Sequence, residues 1–224
     1  MRYPGHMTAA PYERNPFRTP GARPRVAGLL LAAGGGRRLG GRPKALLAHR
    51  GALLVEHAAG VLHAGGCDPV HVVLGAAAEE VRRRAELPGS VLVDNRGWAD
   101  GMGSSLRAGL TSLAATDARA VLVLLVDQPG IGAEAVARVV AACRSAEAPA
   151  DALVSAAYDG RRGHPVVFGA HRWVEIAADA RGDRGARAYL TAREDDITLV
   201  ECGDVARAFD IDTEEDLRHL EPPA

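Results

Sequence analysis

The sequence predicts an α/β protein, a three-layer αβα Rossmann-like arrangement around a mostly parallel sheet. Three observations carry this. Apolar runs at 26–32 and 120–126 are continuous rather than alternating, which marks strands covered on both faces. Such runs alternate along the chain with helical stretches, the pattern of crossovers onto a parallel sheet. The first strand then ends in a glycine-rich loop, Gly34-Gly35-Gly36-Arg37-Arg38-Leu39-Gly40-Gly41, closed by Lys44.

The elements follow in order. Residues 1–25 carry Pro4, Pro11, Pro16, Pro20 and Pro24 and no apolar signal-peptide core. They read as a disordered arm, with 26–224 as a single domain. Strands are expected at 26–32, 70–74, 91–93, 120–126 and 152–156. Helices are expected near 52–64, 76–86, 103–115 and 132–146. Gly65-Gly66, Pro88-Gly89 and Pro129-Gly130 punctuate these units. Beyond 156 the texture changes. Residues 163–168 read as a turn into a strand, followed by helices near 170–179 and 184–193, a strand near 197–200 and a helix start at 211–217. Thr213 or Asp212 is its expected cap. This second half reads as completing one domain.

With 224 residues the chain can bury a substantial core, and a net charge of −1 gives no global field for nucleic acid or anionic membrane. No apolar run approaches the ~20 residues of a membrane-spanning helix. Cys67, Cys143 and Cys202 are scattered without a C-x-x-C pair, so they read as buried thiols of a reducing cytoplasm.

Glycines that admit backbone N–H groups, beside arginines and a lysine, suit a polyphosphate. The spacing excludes two familiar phosphate loops. The Walker pattern requires Ser or Thr after the lysine, and Ala45 follows Lys44. The dinucleotide fingerprint fails because Leu39 stands at its third glycine, which disfavours a nicotinamide dehydrogenase. A loop covering a nucleoside triphosphate remains, as does a plain glycine turn with solvated arginines.

Asp127 ends the strand 120–126, where open α/β sheets bind ligands. A carboxylate there suits Mg²⁺, which takes one or two carboxylates plus phosphate oxygens and water, although it equally suits a helix cap. Asp210 and Asp212 offer further carboxylates, on one side if the segment is extended. Between strand and helix, 94–107 places Asn95, Trp98, Ser104 and Ser105, with both serines near a helix N-terminus that favours anions. His164 precedes Pro165 and follows Arg161 and Arg162. A lone histidine is more often structural than catalytic, and the other histidines show no metal-ligand spacing. Arg181, Arg184 and Arg187 around two glycines read as a second anion clamp or a solvated turn.

Taken together, these segments resemble the molybdenum cofactor nucleotidyltransferase family, within the group having a glycosyltransferase-A-like Rossmann fold. The stretch 31–44 is similar to the cytidylyltransferase pattern L-A-A-G-x-S-x-R-x-G-x-x-K. Asp127-Gln128-Pro129, Gly101-Met102-Gly103-Ser104-Ser105-Leu106, Arg162-Gly163-His164-Pro165, Gly182-Asp183-Arg184-Gly185-Ala186-Arg187 and Asp210-Ile211-Asp212-Thr213 fall in the same order as that branch. Relatives using GTP more often read L-A-G-G, and here the third position is Ala33. The chain departs at Gly36, where the family has serine, in one extra residue between Gly40 and Lys44, and at Glu214, where proline is common.

The resemblance implies transfer of a nucleoside monophosphate, CMP by the Ala33 indication and GMP otherwise, onto the terminal phosphate of the pterin cofactor, releasing pyrophosphate. Leu31, Ala32, Ala33, Gly34, Gly35, Gly36 and Arg38 would hold the triphosphate. Lys44 would contact the α-phosphate, and Asp127 and Asp212 would bind Mg²⁺. Asn95, Ser104, Ser105 and His164 would shape the acceptor side. The implied partners are small molecules and a molybdenum hydroxylase. Other phosphorylated acceptors (a sugar phosphate, methylerythritol phosphate, phospholactate) and a non-catalytic cofactor carrier stay open.

Overall fold

The computed structural model describes residues 23–220, so the segment expected to be a disordered arm lies almost wholly outside the described residues. In chain order the strands and α-helices are β1 (Val26–Leu31), β2 (Ala48–His49), β3 (Ala52–Leu53), α1 (Leu54–Ala64), β4 (Val70–Leu74), α2 (Ala78–Arg84), β5 (Ser90–Asp94), α3 (Met102–Leu113), β6 (Ala120–Leu125), α4 (Ala133–Ser145), β7 (Leu153–Tyr158), β8 (Arg161–Gly169), α5 (Trp173–Asp179), α6 (Arg187–Ala192) and β9 (Thr198–Glu201).

Seven strands form one sheet in the order β5-β4-β1-β6-β8-β7-β9. Four of the six neighbouring pairs are parallel and two, β6·β8 and β8·β7, are antiparallel. The expected mostly parallel αβα sheet is therefore the observed one. Its central strands are apolar throughout because alternate residues enter two cores. Val26, Leu30 and Ala32 join Leu122 and Leu124 on the face covered by α1 and α4. Ala27, Leu29 and Leu31 join Val121 and Val123 on the face covered by α3, α5 and α6. Gly109 lets α3 approach β1 closely, since a Cβ there would lie 2.5 Å from a Leu29 methyl.

The differences from expectation are local. The helix expected from 52 begins at Leu54, because Ala52–Leu53 pairs with Ala48–His49 in a small hairpin. Glu56 then accepts the Leu53 N–H at 2.6 Å. The helix expected over 184–193 starts only at Arg187, after a 3₁₀ turn over Gly182–Arg184. The expected helix at 211–217 is a 3₁₀ turn over Glu215–His219, and neither Thr213 nor Asp212 caps it with its side chain. Asp216 instead accepts the backbone N–H groups of Asp212 (3.0 Å) and Thr213 (2.7 Å). That leaves the Asp212 carboxylate available to the rest of the molecule.

Candidate functional site

The site is built at the C-terminal ends of β1 and β6, where the glycine loop, the Asp127 turn and the C-terminal segment meet. The loop 34–44 leaves β1 and turns at Gly36, whose φ is +63°. A Cβ on Gly36 would lie 1.7 Å from the Arg42 carbonyl oxygen, so no side chain fits. Gly36 in place of serine and the longer run to Lys44 are thus one adaptation: the loop folds back over Gly36. The Leu39 and Gly41 N–H groups donate to the Gly36 carbonyl at 2.8 and 3.0 Å, pinning the fold-back.

Lys44, at the start of a short 3₁₀ turn, returns toward the sheet. Its Nζ donates to Asp127 Oδ2 at 2.7 Å and to Asp212 Oδ1 at 2.6 Å. Arg38 reaches Asp212 Oδ2 at 3.2 Å, and Arg42 reaches Glu214 Oε1 at 2.7 Å. The loop and the C-terminal segment are therefore joined by ion pairs. Burial pulls the Lys44 ammonium down, but Asp127 and Asp212 together more than restore it, so it stays charged. Burial pushes the Asp127 carboxyl up and Asp210 adds to this, against the pull of Lys44.

The Asp127 carboxylate is not a helix cap, since Gly132 holds that place before α4 without a side-chain bond. Its second oxygen, Oδ1, is buried with no hydrogen-bond partner among the described residues. A buried acceptor left unmade is costly, so this atom is suited to a cation. No group of three or more His, Cys, Asp or Glu among the described residues is arranged to hold a metal. Asp127 and Asp212 are instead a two-carboxylate arrangement, which fits Mg²⁺ that draws its other ligands from phosphate and water.

Gln128 has a structural place that no local pattern in the sequence assigns. Its side chain is buried, its Nε2 donates to Asp210 Oδ1 at 2.8 Å, and its Oε1 has no partner among the described residues. Asp210 accepts only, so this orientation of the amide is the favourable one. The sequence signals for Gln128 are its place next to Asp127 and its membership of the family-like segment Asp127-Gln128-Pro129.

The other rim is built on an uncharged knot. Asn95 donates to Ser104 Oγ (2.8 Å) and Ser105 Oγ (3.0 Å) and accepts the Gly97 N–H (3.0 Å). All three side chains are buried, so they fix the shape of the loop before α3. The start of α3 packs backbone-close on 180–183. A Cβ on Gly103 would lie 2.6 Å from the Arg181 nitrogen, and Arg107 donates to the Ala180 carbonyl. Arg181, Arg184 and Arg187 are exposed at this end. Trp98 is half-buried beside Gly35, Gly75 and Ala76. A cleft of about 440 Å³, lined by residues including Gly41, Pro43, Gly75 and Arg83, runs beside the glycine loop. His164 is not part of the Asn95 knot: it lies on β8, which pairs with β6, and is within electrostatic reach of Asp210. Burial lowers its imidazole to about 4 against the pull of Asp210, so it is neutral near pH 7. The structure thus brings together Arg38, Lys44, Asp127 and Asp212 as a charged group and Asn95, Ser104 and Ser105 as a neutral one, and it places His164 in neither, beside Asp210.

Comparisons with known proteins agree with this architecture. Residues 28–197 match the MobA-like NTP transferase domain. The chain is 42% identical over 204 residues to nicotine blue oxidoreductase of Paenarthrobacter nicotinovorans, covering 88% of this chain and 97% of that one. It is 35% identical over 152 residues to molybdenum cofactor guanylyltransferase of Acidiphilium cryptum, covering 68% of each. Among solved structures it resembles the Rv0371c homologue from Mycobacterium sp. strain JC1 at a TM-score of 0.73 and 32% identity, covering 88% of this chain and 96% of that one. It also resembles a manganese complex of Mycobacterium tuberculosis Rv0371c at a TM-score of 0.68 and 26% identity, covering 88% and 97%. No helix among the described residues is long and apolar enough to cross a membrane. With the matched domain running from within β1 to the residue before β9, the chain belongs to the MobA-like NTP transferase family.

Proposed function

We propose that the protein transfers CMP from CTP to the terminal phosphate of molybdopterin, releasing pyrophosphate. One observation carries the reading: Lys44 and Arg38 on the glycine loop converge with Asp127 and Asp212 at one strand end. Two cations and two carboxylates there suit a reaction between anions. An acceptor phosphate oxygen attacks the α-phosphorus, a P–O bond forms, and the bond to the β-phosphate bridge breaks. With a second pKa near 6, the acceptor is already dianionic in good part near neutral pH, so little base catalysis is needed. The chemistry rests on neutralising charge and holding the two phosphates in line.

In this reading backbone groups of 31–36 and Arg38 hold the triphosphate, and Lys44 stabilises charge developing on the α-phosphate. Asp127 and Asp212 hold Mg²⁺, which supplies further charge neutralisation when bound. The knot of Asn95, Ser104 and Ser105 sets the shape of the acceptor side, with the arginines of 181–187 nearby, and neutral His164 faces the acceptor from the Asp210 side. The CTP assignment follows from Ala33, whereas the guanylyltransferase relative supports GTP as its competitor. Pyrophosphate release on molybdopterin, scored with CTP and GTP, tests this. The expected order is CTP above GTP. The reverse order would overturn the base, and no release with any triphosphate would overturn the reaction.

A second reading takes its support from the oxidoreductase relative, which matches nearly its whole length. The chain's own thiols are poor electron donors for it. Burial pushes Cys67 up to about 12 and Cys143 to about 11, and raises Cys202. Electrons would then come from a bound reductant. Reduction of nicotine blue by a supplied nicotinamide or flavin donor, with no pyrophosphate released, would favour that reading.

A further inference from the structure

The Lys44 ammonium fills the space between two carboxylates, 2.7 Å from Asp127 and 2.6 Å from Asp212. These side chains are only 16%, 20% and 39% exposed, so the pairs are partly desolvated. Removing one partner from such a pair strands the other. Arg38 lies against the remaining oxygen of Asp212, while Asp127 Oδ1 stays buried and unpartnered among the described residues. The groups proposed to receive phosphate are thus engaged with the groups proposed to receive a divalent cation.

We propose that Lys44 is the resident counter-ion of this acid pair, and that a divalent cation and a triphosphate bind by exchanging partners with it. The carboxylates pass to the cation and the ammonium passes to phosphate. The proposal rests on the metal and triphosphate assignments above and adds how the two are coupled. A cation arriving alone takes the carboxylates and strands Lys44. A triphosphate arriving alone takes Lys44 and strands Asp127 and Asp212. Together they leave no charge without a partner. The coupling is therefore positive and, as an equilibrium property, reciprocal.

This gives a signature that a plain phosphate-binding lysine lacks. Removing the ammonium should weaken nucleotide handling yet strengthen binding of the cation alone. The experiment titrates Mn²⁺ into the full chain without nucleotide and follows loss of the free-ion EPR signal. It compares wild type with Lys44→Met, Lys44→Arg and Asp127→Asn. Lys44→Met is expected to bind Mn²⁺ about tenfold or more tightly than wild type, within the usual range of coupling between sites. Lys44→Arg, which keeps the charge, should stay close to wild type, and Asp127→Asn should lose most of the binding.

Thermal unfolding gives a second readout. Lys44→Met should unfold at lower temperature without cation and gain more from added Mn²⁺ than wild type does. Equal or weaker Mn²⁺ binding by Lys44→Met, with wild type and Asp127→Asn behaving as expected, overturns the exchange and leaves the metal assignment standing. If Lys44→Arg binds as tightly as Lys44→Met, charge is not the block and the exchange also falls. If wild type and Lys44→Met bind no more Mn²⁺ than Asp127→Asn, both the exchange and the metal assignment fall.

Discussion

The two rims of the site answer the same problem, how to place polar groups at the end of a buried sheet, in opposite ways. On one rim, Lys44, Arg38, Asp127 and Asp212 neutralise one another across 83 to 174 residues of chain. On the other, Asn95 satisfies Ser104 and Ser105 within ten residues, with no formal charge. The charged rim can change partners when an ionic ligand arrives, and it still holds an unpartnered buried oxygen. The neutral knot is bonded to itself and to the backbone of its own loop, so it shapes the site without exchanging ions. Substitutions on the first rim should therefore be read in chemistry and ion binding, with a stability cost where a desolvated pair is broken, and those on the second in stability.

The largest effect should come from Asp127→Asn. It keeps the shape but removes the charge that faces Lys44. Turnover in the pyrophosphate assay should fall about 10²–10³-fold, the scale of losing one electrostatic group that acts on the transition state. Circular dichroism should be unchanged. An unfolded variant would mean that the charged rim is structural too, and the contrast would collapse.

Asn95→Ala should behave in the reverse way. It removes the donor to the Ser104 and Ser105 hydroxyls and leaves the Gly97 N–H without its acceptor, while Ser104 keeps its bonds to the Gly97 and Gly101 carbonyls, a loss of about 1–3 kcal/mol in urea unfolding. The KM for triphosphate should be unchanged, and any kinetic effect should fall on the acceptor. A raised triphosphate KM at full stability would show that the knot touches the nucleotide directly.

How far the sequence reveals all this depends on distance along the chain. The strands are legible because a sheet covered on both faces demands continuous apolar runs, as at 120–126. Asp127 is legible because it ends such a run. The joining of Arg42 to Glu214, and of Gln128 to Asp210, spans 172 and 82 residues and leaves no local pattern. Nor does the close docking of Gly103 on the Arg181 backbone. At 212–216 the limit is a local competition: several acids and a threonine can each accept turn N–H groups, and Asp216 does so where Thr213 or Asp212 was expected. Gly36 shows the opposite case. Two departures from the family pattern, visible in the sequence as unrelated, become one once the Arg42 carbonyl is seen over its Cα.

His164 sharpens the contrast through pH. Its folded value near 4 lies below the ordinary 6.5, so the unfolded chain takes up this proton before the folded one does. The sign is then fixed: this residue costs no stability above about pH 6.5, and its presence lowers stability as pH falls from about 6.5 toward 4. His164→Gln should flatten that part of the stability profile in thermal unfolding at stepped pH. An unchanged slope would mean that the imidazole protonates normally and belongs with the charged groups.

The smallest effect is expected from Arg42→Ala, although it sits on the charged rim. Its partner Glu214 is 76% exposed and Arg42 itself 49%, so water and salt screen the pair. Such exposed pairs contribute about 0–1 kcal/mol. Turnover should change by less than tenfold, equivalent to about 1.4 kcal/mol, and the difference should shrink further in high salt. This separates two kinds of ion pair on one rim. The Lys44 pairs are partly desolvated and converge on an unpartnered oxygen, whereas the Arg42 pair only ties the loop to the C-terminal segment. An Arg42→Ala loss as large as that of Asp127→Asn would mean that the loop's position, and not the charge beside Asp127, governs the reaction.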